Sequence, residues 1–432
     1  MSVYRPIRAW TLLLDRRARA SRPFGLLDVG SRKLCCYIAR LDGKGRFELL
    51  GAGHQAADGF VSGEVVNAAA AEAAMRAVID EAERMADERL RRIAVTFAGG
   101  APASGYVKVE VALDGRPVSR RDVSEALRHG AEAMTADGFS ILHAVPLGLR
   151  LDGGPEVHDV TGVPGRRLTV RAHLVGVAER PLAQLAGCLE RCHLDLDTVV
   201  VAPYAAGLAC ITKDEAERGV VVVDCGARTT SLAAFHGGRL QFVGAVPLGA
   251  EHLTDELAAQ LNVSQATAER LKNLDASVEW RTCDSVDTID ITPLDAVTAM
   301  DTVELPKRRL TEILRPISET ILRGIDEQLR TAPEIVQQVA RRSVVLTGGG
   351  ALQEGLIDLA MQALNAGGVR LGRPDVLDGW SDPPVAAASG GLALVAGDDG
   401  GIGYAAKRRA PSALGRPFER VGQWLRESLG VT

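Results

Sequence analysis

Val220-Val221-Val222-Val223-Asp224-Cys225-Gly226-Ala227-Arg228-Thr229-Thr230 is the stretch on which the architecture turns. Four β-branched residues in a row read as a buried strand. The strand ends in a carboxylate, then a glycine, then two hydroxyls. A carboxylate at a strand tip beside free backbone N–H groups suits a hydrated Mg²⁺ and the phosphates it bridges, although Asp-x-Gly after a strand is also an ordinary turn. The pattern occurs twice. Phe24-Gly25-Leu26-Leu27-Asp28-Val29-Gly30-Ser31-Arg32-Lys33 opens an equivalent run. Both copies continue as strand, Gly turn, strand, through Phe47 to Gly53 in the first and Leu240 to Ala245 in the second. An internal repeat constrains a whole architecture. Two such turns, one per lobe, would clamp nucleotide phosphates between them.

A third motif, Val344-Val345-Leu346-Thr347-Gly348-Gly349-Gly350-Ala351, reads as a strand running into three glycines and a helix. Glycines let backbone approach a ligand closely, and a helix start aims N–H groups at it. Together the three motifs resemble those of the actin/Hsp70/sugar-kinase ATPase superfamily. Ile141-Leu142-His143-Ala144-Val145-Pro146, Ala202-Pro203-Tyr204-Ala205-Ala206-Gly207, Val246-Pro247-Leu248-Gly249-Ala250-Glu251-His252-Leu253-Thr254 and the segment Arg416 to Leu429 narrow the resemblance to the bacterial cell-division family FtsA. The resemblance spans residues 22–430. It implies an α/β, actin-like two-lobed ATPase fold of duplicated ribonuclease-H-like domains, with an FtsA-type α+β insert (1C) and a C-terminal amphipathic helix.

The resemblance also implies ATP and Mg²⁺ as cofactors. Asp28 and Asp224 would meet Mg²⁺ through its waters, since Mg²⁺ gives up few of them. Gly30, Ser31 and Lys33 would cradle phosphate from one lobe, and Gly226, Thr229 and Thr230 from the other. Glu269 and Lys272, at i and i+3 on one helix face, would hold ribose and adenine, or form a plain surface ion pair. Gly348, Gly349 and Gly350 would bound the adenosine. The chain departs from the family at Ala227, Arg228 and Ser231, where the family usually has Gly, Gly and Asp. Glycine at such turns often supplies φ > 0, which is costly for Ala and Arg. The Arg228 guanidinium would either grip a phosphate or block the γ-phosphate position. Nucleotide binding with weak or absent ATPase activity is the expectation, and no catalytic residue stands out.

At 432 residues the chain can hold several domains, and its 46% hydrophobic and 24% charged content is that of a soluble globular protein. A net charge of −5 gives no global basic face, so nucleic acid is not favoured as a partner. No apolar run approaches the ~20 residues a membrane span needs. Seven cysteines without a Cys-x-x-Cys pair suit reduced cytosolic thiols. Cys188 and Cys192, with His193 next, read as buried thiols on an amphipathic helix, with a metal site as the alternative.

The expected divisions are a basic tail at 1–21, subdomain 1A at 22–97 and 182–207, the 1C insert at 98–181, subdomain 2A at 208–245 and 331–397, subdomain 2B at 246–330, a linker at 398–414 and an amphipathic helix at 415–430. Ala71, Met75, Val78, Ile79, Ala82 and Met85 form a core-facing helical stripe. A helix from Arg308 to Leu329 should be interrupted or kinked near Pro316. In the terminal segment Leu414, Phe418, Val421, Trp424, Leu425 and Leu429 fall on one arc, and Arg416, Glu419, Arg420, Gln423, Arg426 and Glu427 opposite. Such a cationic helix on a tether reads as an in-plane anchor for anionic membrane lipids, or as a helix docked on the core or on a partner. Of its residues, Arg416, Phe418, Arg420, Val421, Trp424, Leu425, Arg426 and Leu429 are the expected membrane contacts.

The resemblance implies a peripheral protein on the inner face of the cytoplasmic membrane at the division septum. It would hold the C-terminal peptide of the tubulin-like FtsZ on 2B, tether FtsZ, self-associate into filaments and meet downstream division proteins through 1C. A kinase-type or Hsp70-like ATPase and a type IV pilus inner-membrane assembly protein are the alternatives.

Overall fold

The computed structural model describes residues 22–42, 47–134, 138–280, 287–294, 302–374 and 382–396. The basic tail and the expected membrane helix, with all eight of its named contacts, lie outside the described residues.

The first lobe opens with an antiparallel meander, β1 (Phe24–Val29), β2 (Lys33–Leu41) and β3 (Phe47–Ala56). The short β4 (Phe60–Val61) and β5 (Glu64–Val65) lead to α1 (Ala68–Ala86), and β6 (Arg92–Phe97) then pairs parallel to β1. An insert follows: β7 (Ala103–Ala112), α2 (Arg120–Met134), β8 (Phe139–Leu151) and β9 (Arg167–Ala178), with strand order β7-β9-β8. The helix α3 (Glu179–Arg191) and β10 (Asp195–Val201) complete a sheet of order β10-β6-β1-β2-β3. Next come α4 (Ala202–Cys210) and α5 (Lys213–Arg218).

The second lobe repeats the scheme with β11 (Val220–Cys225), β12 (Thr230–His236) and β13 (Arg239–Val246). Then come α6 (Ala250–Leu261), α7 (Gln265–Leu274), the hairpin β14 (Thr288–Ile291) and β15 (Val303–Pro306), α8 (Arg308–Thr331) and α9 (Glu334–Ala340). Parallel strands β16 (Val344–Thr347) and β17 (Val369–Leu371), joined through α10 (Leu356–Ala363), finish a sheet of order β13-β12-β11-β16-β17. The last described helix, α11 (Ala386–Ala396), returns to the first sheet. Position for position, the two sheets share one plan.

Both central strands are buried on two faces, which is why they read as unbroken apolar runs. Successive side chains alternate between faces. Leu27 and Val29 enter the core shared with α1 and α3, while Phe24 and Leu26 pack with Ala388 and Leu392 of α11. Val221 and Val223 join the α8 face of the second lobe. Val220 and Val222 join Leu27 in a single core that runs through α4. That helix is buried on every side, as a connector wedged between two sheets must be.

Asn67 caps α1 by accepting the Ala70 N–H at 3.2 Å, and Asp87 ends it in the left-handed region at φ 52°. Its stripe is buried from Ala71 to Ala82, but Met85 is 40% exposed and is no core filler. Its sulfur still reaches the sheet, accepting the Ala52 N–H of β3 at 3.4 Å, while the rest of the side chain meets solvent on the last turn. The α8 helix runs unbroken through Pro316. Burial of Ile313, Leu314, Ser318, Ile321 and Leu322 on either side of the proline holds it in register. The glycine motif does not lead straight into a helix: Gly349–Leu352 form a 3-10 turn, and α10 starts only after Gly355. The segment Ser389-Gly390-Gly391 lies inside α11.

The insert leaves the first lobe but seals the edge of the second. Outward-facing backbone of β13 is taken by insert side chains. Ser104 Oγ donates to Val243 O at 2.9 Å and accepts the Val243 N–H at 2.7 Å, and the Tyr106 hydroxyl donates to Gln241 O at 2.8 Å. In return Arg239 donates to Pro146 O and, at 3.2 Å, to His158 O. A bare sheet edge is thereby covered.

Candidate functional site

The two Asp-x-Gly turns close alike. The Gly30 N–H donates to Lys33 O at 3.2 Å, and the Gly226 N–H donates to Thr229 O at 3.0 Å. Each Asp ends the central strand of its sheet. Asp28 lies opposite Cys35 and Thr96; Asp224 lies opposite Ser231 and Thr347. The threonines are a matched pair that the sequence reading missed. Each is the lone hydroxyl at the end of an apolar strand, Ile93 to Thr96 and Val344 to Thr347, so the signal was present. The Thr96 hydroxyl donates to Asp28. Thr347 instead bonds Gly372 O at 3.3 Å and contacts Cys210 Sγ at 3.4 Å.

Neither carboxyl ionises freely. Burial raises the pKa of Asp28, against the pull of the Thr96 hydroxyl and the Lys33 charge. Burial, then the negative charge of Asp28, pushes Asp224 up to about 7. Two acids that repel across one cleft are a site for a cation. Their chemistry fits a hydrated Mg²⁺. Among the described residues no cluster of three His, Cys, Asp or Glu could ligate a metal directly, Cys188 and Cys192 included. Cys188 is buried and takes an Arg191 N–H at 3.0 Å.

The second phosphate loop absorbs its unusual residues without strain. Neither Ala227 nor Arg228 has positive φ. The Arg228 guanidinium turns to α6, with Nε 2.9 Å from Glu251 Oε2 and Nη2 3.6 Å from Asp255 Oδ2. A phosphate grip or a γ-phosphate block by this guanidinium would compete with those two ion pairs. The loop's carbonyls cap α6: Gly226 O accepts the Ala250 N–H at 3.0 Å and Ala227 O the Glu251 N–H at 2.7 Å. The Thr230 hydroxyl is spent on Leu248 O at 2.8 Å, so of the pair Thr229 is the one with a hydroxyl still to offer.

Two of the three glycines are required by the protein's own packing. A Cβ on Gly348, at φ 82°, would lie 2.4 Å from Asp224 Oδ1, and one on Gly350 would lie 3.0 Å from Cys225 O. Only Gly349 faces open space, with its nearest neighbour Pro384 Cγ at 3.9 Å.

Glu269 and Lys272 are not a surface pair. Lys272 is 7% exposed, and its Nζ donates to Glu269 Oε2 and Thr254 Oγ1, both at 2.8 Å, and to Ala250 O at 3.4 Å. Burial alone would raise the Glu269 pKa, but Lys272, Thr254 and Arg32 together bring it down to about 2. Arg32 reaches Glu269 from the first lobe, Nη1 to Oε1 at 3.0 Å. The structure thus brings the two Asp-x-Gly turns, the glycine turn and α7 together.

The profile of the family described as "Cell division protein FtsA" matches residues 221–390, and that of the "SHS2 domain inserted in FTSA" matches 99–176, the insert. The cell division protein FtsA of Agrobacterium fabrum is 32% identical over 431 residues, covering 95% of this chain and 96% of the relative. That of Escherichia coli strain K12 is 25% identical over 417 residues, 93% of this chain and 97% of the relative. Among solved structures, a chain of the PilM-PilN type IV pilus biogenesis complex aligns with a TM-score of 0.57 at 18% identity, covering 86% of this chain and 98% of the other. MreB5 of Spiroplasma citri bound to ADP aligns at 0.55 and 14% identity, covering 86% and 95%. At such identities these two likenesses speak for the actin-like fold alone.

Proposed function

The chain belongs to the FtsA family of cell-division proteins and has the actin-like fold, and from that premise we propose that it binds ATP with Mg²⁺ between its lobes and tethers FtsZ to the cytoplasmic membrane. The observation that carries the nucleotide half is the placing of Asp28 and Asp224 at the tips of the central strands of two matching sheets, each followed by the same hydrogen-bonded turn. Bound Mg²⁺ would neutralise this pair and the phosphates at once. Asp28 and Asp224 hold its waters. Gly30, Ser31 and Lys33 face the phosphates from one side, Gly226 and Thr229 from the other. Glu269 and Lys272 receive the ribose and adenine, and Gly349 gives the adenosine room. On this reading the protein's work comes from assembly and tethering rather than turnover.

The remaining parts follow the same reading. The insert at 98–181 serves downstream division proteins. The region 246–330, with Trp280 half exposed beneath the Arg308 guanidinium 5.9 Å from its ring, takes the FtsZ peptide. Subunits self-associate into filaments. The segment 415–430 rides in anionic headgroups at the inner face of the cytoplasmic membrane, where basic residues contribute about 1 kcal/mol each. Liposome co-sedimentation of the full chain and of a version ending at Ala410, with and without FtsZ, tests the tether. Truncation should abolish recovery of both proteins with lipid; recovery of both by the truncated chain would overturn it.

A further inference from the structure

Arg32 sits in the middle of the first phosphate loop, between Ser31 and Lys33, yet its guanidinium is turned across the cleft. It ends 3.0 Å from Glu269 Oε1. Glu269 has no acceptor site to spare. Oε2 takes Lys272 and Thr254, both at 2.8 Å, while Oε1 takes Asn273 at 3.2 Å in addition to Arg32. Lys272 and Thr254 are buried and fixed within the second lobe. Among these donors Arg32 alone comes from the other lobe, and its side chain is 55% exposed. A polar chain therefore joins the two phosphate loops directly. It runs from Arg32 through Glu269 and Lys272 to Ala250 O, and the Ala250 N–H rests on Gly226 O.

We propose that Arg32 is a positioning residue, a clasp between the lobes that occupies Glu269 and must release it before a ribose hydroxyl can bind there. The inference rests on the assignment of Glu269 to the ribose made above. A competing internal contact lowers apparent affinity by the fraction of molecules in which it is closed. Because the Arg32 side chain is 55% exposed and that of Glu269 23%, solvent and salt reach the pair, and its strength falls with salt. The sign is the opposite of what a cationic residue in a phosphate loop ordinarily does.

Stopped-flow and equilibrium titration of the full chain with a fluorescent ATP analogue and Mg²⁺, at low and high salt, test this. Arg32→Ala should bind about two- to fivefold tighter than wild type at low salt, mainly through faster association. The ratio should fall to about one at high salt, and Arg32→Lys should restore both the competition and its salt dependence. Weaker binding by Arg32→Ala would make Arg32 a phosphate ligand and overturn the clasp. So would unchanged binding by a folded variant. A wild type that binds no nucleotide would overturn the ribose assignment beneath it, which the variants by themselves would not.

Discussion

Replacing Asp224 by Asn should make the nucleotide-free protein more stable, and more so as the pH rises. In the folded chain Asp224 titrates at about 7, raised first by burial and then by the Asp28 carboxylate, against 3.8 for an ordinary aspartate. The folded state therefore keeps a proton that the unfolded state has lost. Native stability is fully present below about pH 4, declines as pH rises, and stops declining above about pH 7. The gap corresponds to roughly 4 kcal/mol. Asparagine keeps the shape and never ionises, so the substitution removes this loss. Urea unfolding midpoints of wild type and D224N from pH 4.5 to 8.5 read the effect. Their difference should widen between about pH 4 and 7 and then stay level, with D224N the more stable. Groups elsewhere cancel in that difference. A flat difference, or a D224N protein less stable above pH 7, would refute the picture of two carboxylates held together against their charge. Saturating ATP and Mg²⁺, by contrast, should stabilise wild type by about 3 kcal/mol at a hundredfold excess over Kd and leave D224N nearly unmoved.

Gly390→Ala should destabilise the protein by a net ~2 kcal/mol, because a Cβ there would lie 1.7 Å from Ala205 O on α4; overpacking at the upper end of its range, about 3 kcal/mol, outweighs the ~1 kcal/mol helix gain of Ala over Gly. An unchanged urea midpoint would show that α4 and α11 part freely. Arg228→Ala should cost less than about 1 kcal/mol, since its pairs with Glu251 and Asp255 are partly exposed. It should leave ATP affinity within about twofold of wild type; a tenfold loss by titration would return the guanidinium to the phosphates.

The repeat was legible because it is local. A strand, an Asp-x-Gly turn and a returning strand are written in consecutive residues, and both copies fold as read, down to the matching Gly30 and Gly226 hydrogen bonds. The insert was legible as a change of pattern between 98 and 181. Misreadings gather where an outcome depends on what lies across a gap. Met85 continues a 3.6-residue period and touches β3 through its sulfur, but on the last turn of α1 it is left 40% exposed. Pro316 is a helix breaker by itself and is overruled by packing on both sides. Ala227 and Arg228 looked strained only on the premise that the turn needed positive φ.

The order of residues alone determined the duplicated plan, the positions of Asp28 and Asp224 at two strand tips, and the family resemblance, since each depends on spacing along the chain. Only tertiary structure decided where long side chains go. Arg228 pairs with Glu251 and Asp255 of α6, Arg32 crosses to Glu269, and Lys272 is buried instead of surface-paired. The reason is reach. A guanidinium or ammonium on a flexible stem takes whichever carboxylate the fold brings within about 3 Å, and that neighbour can be hundreds of residues away in sequence.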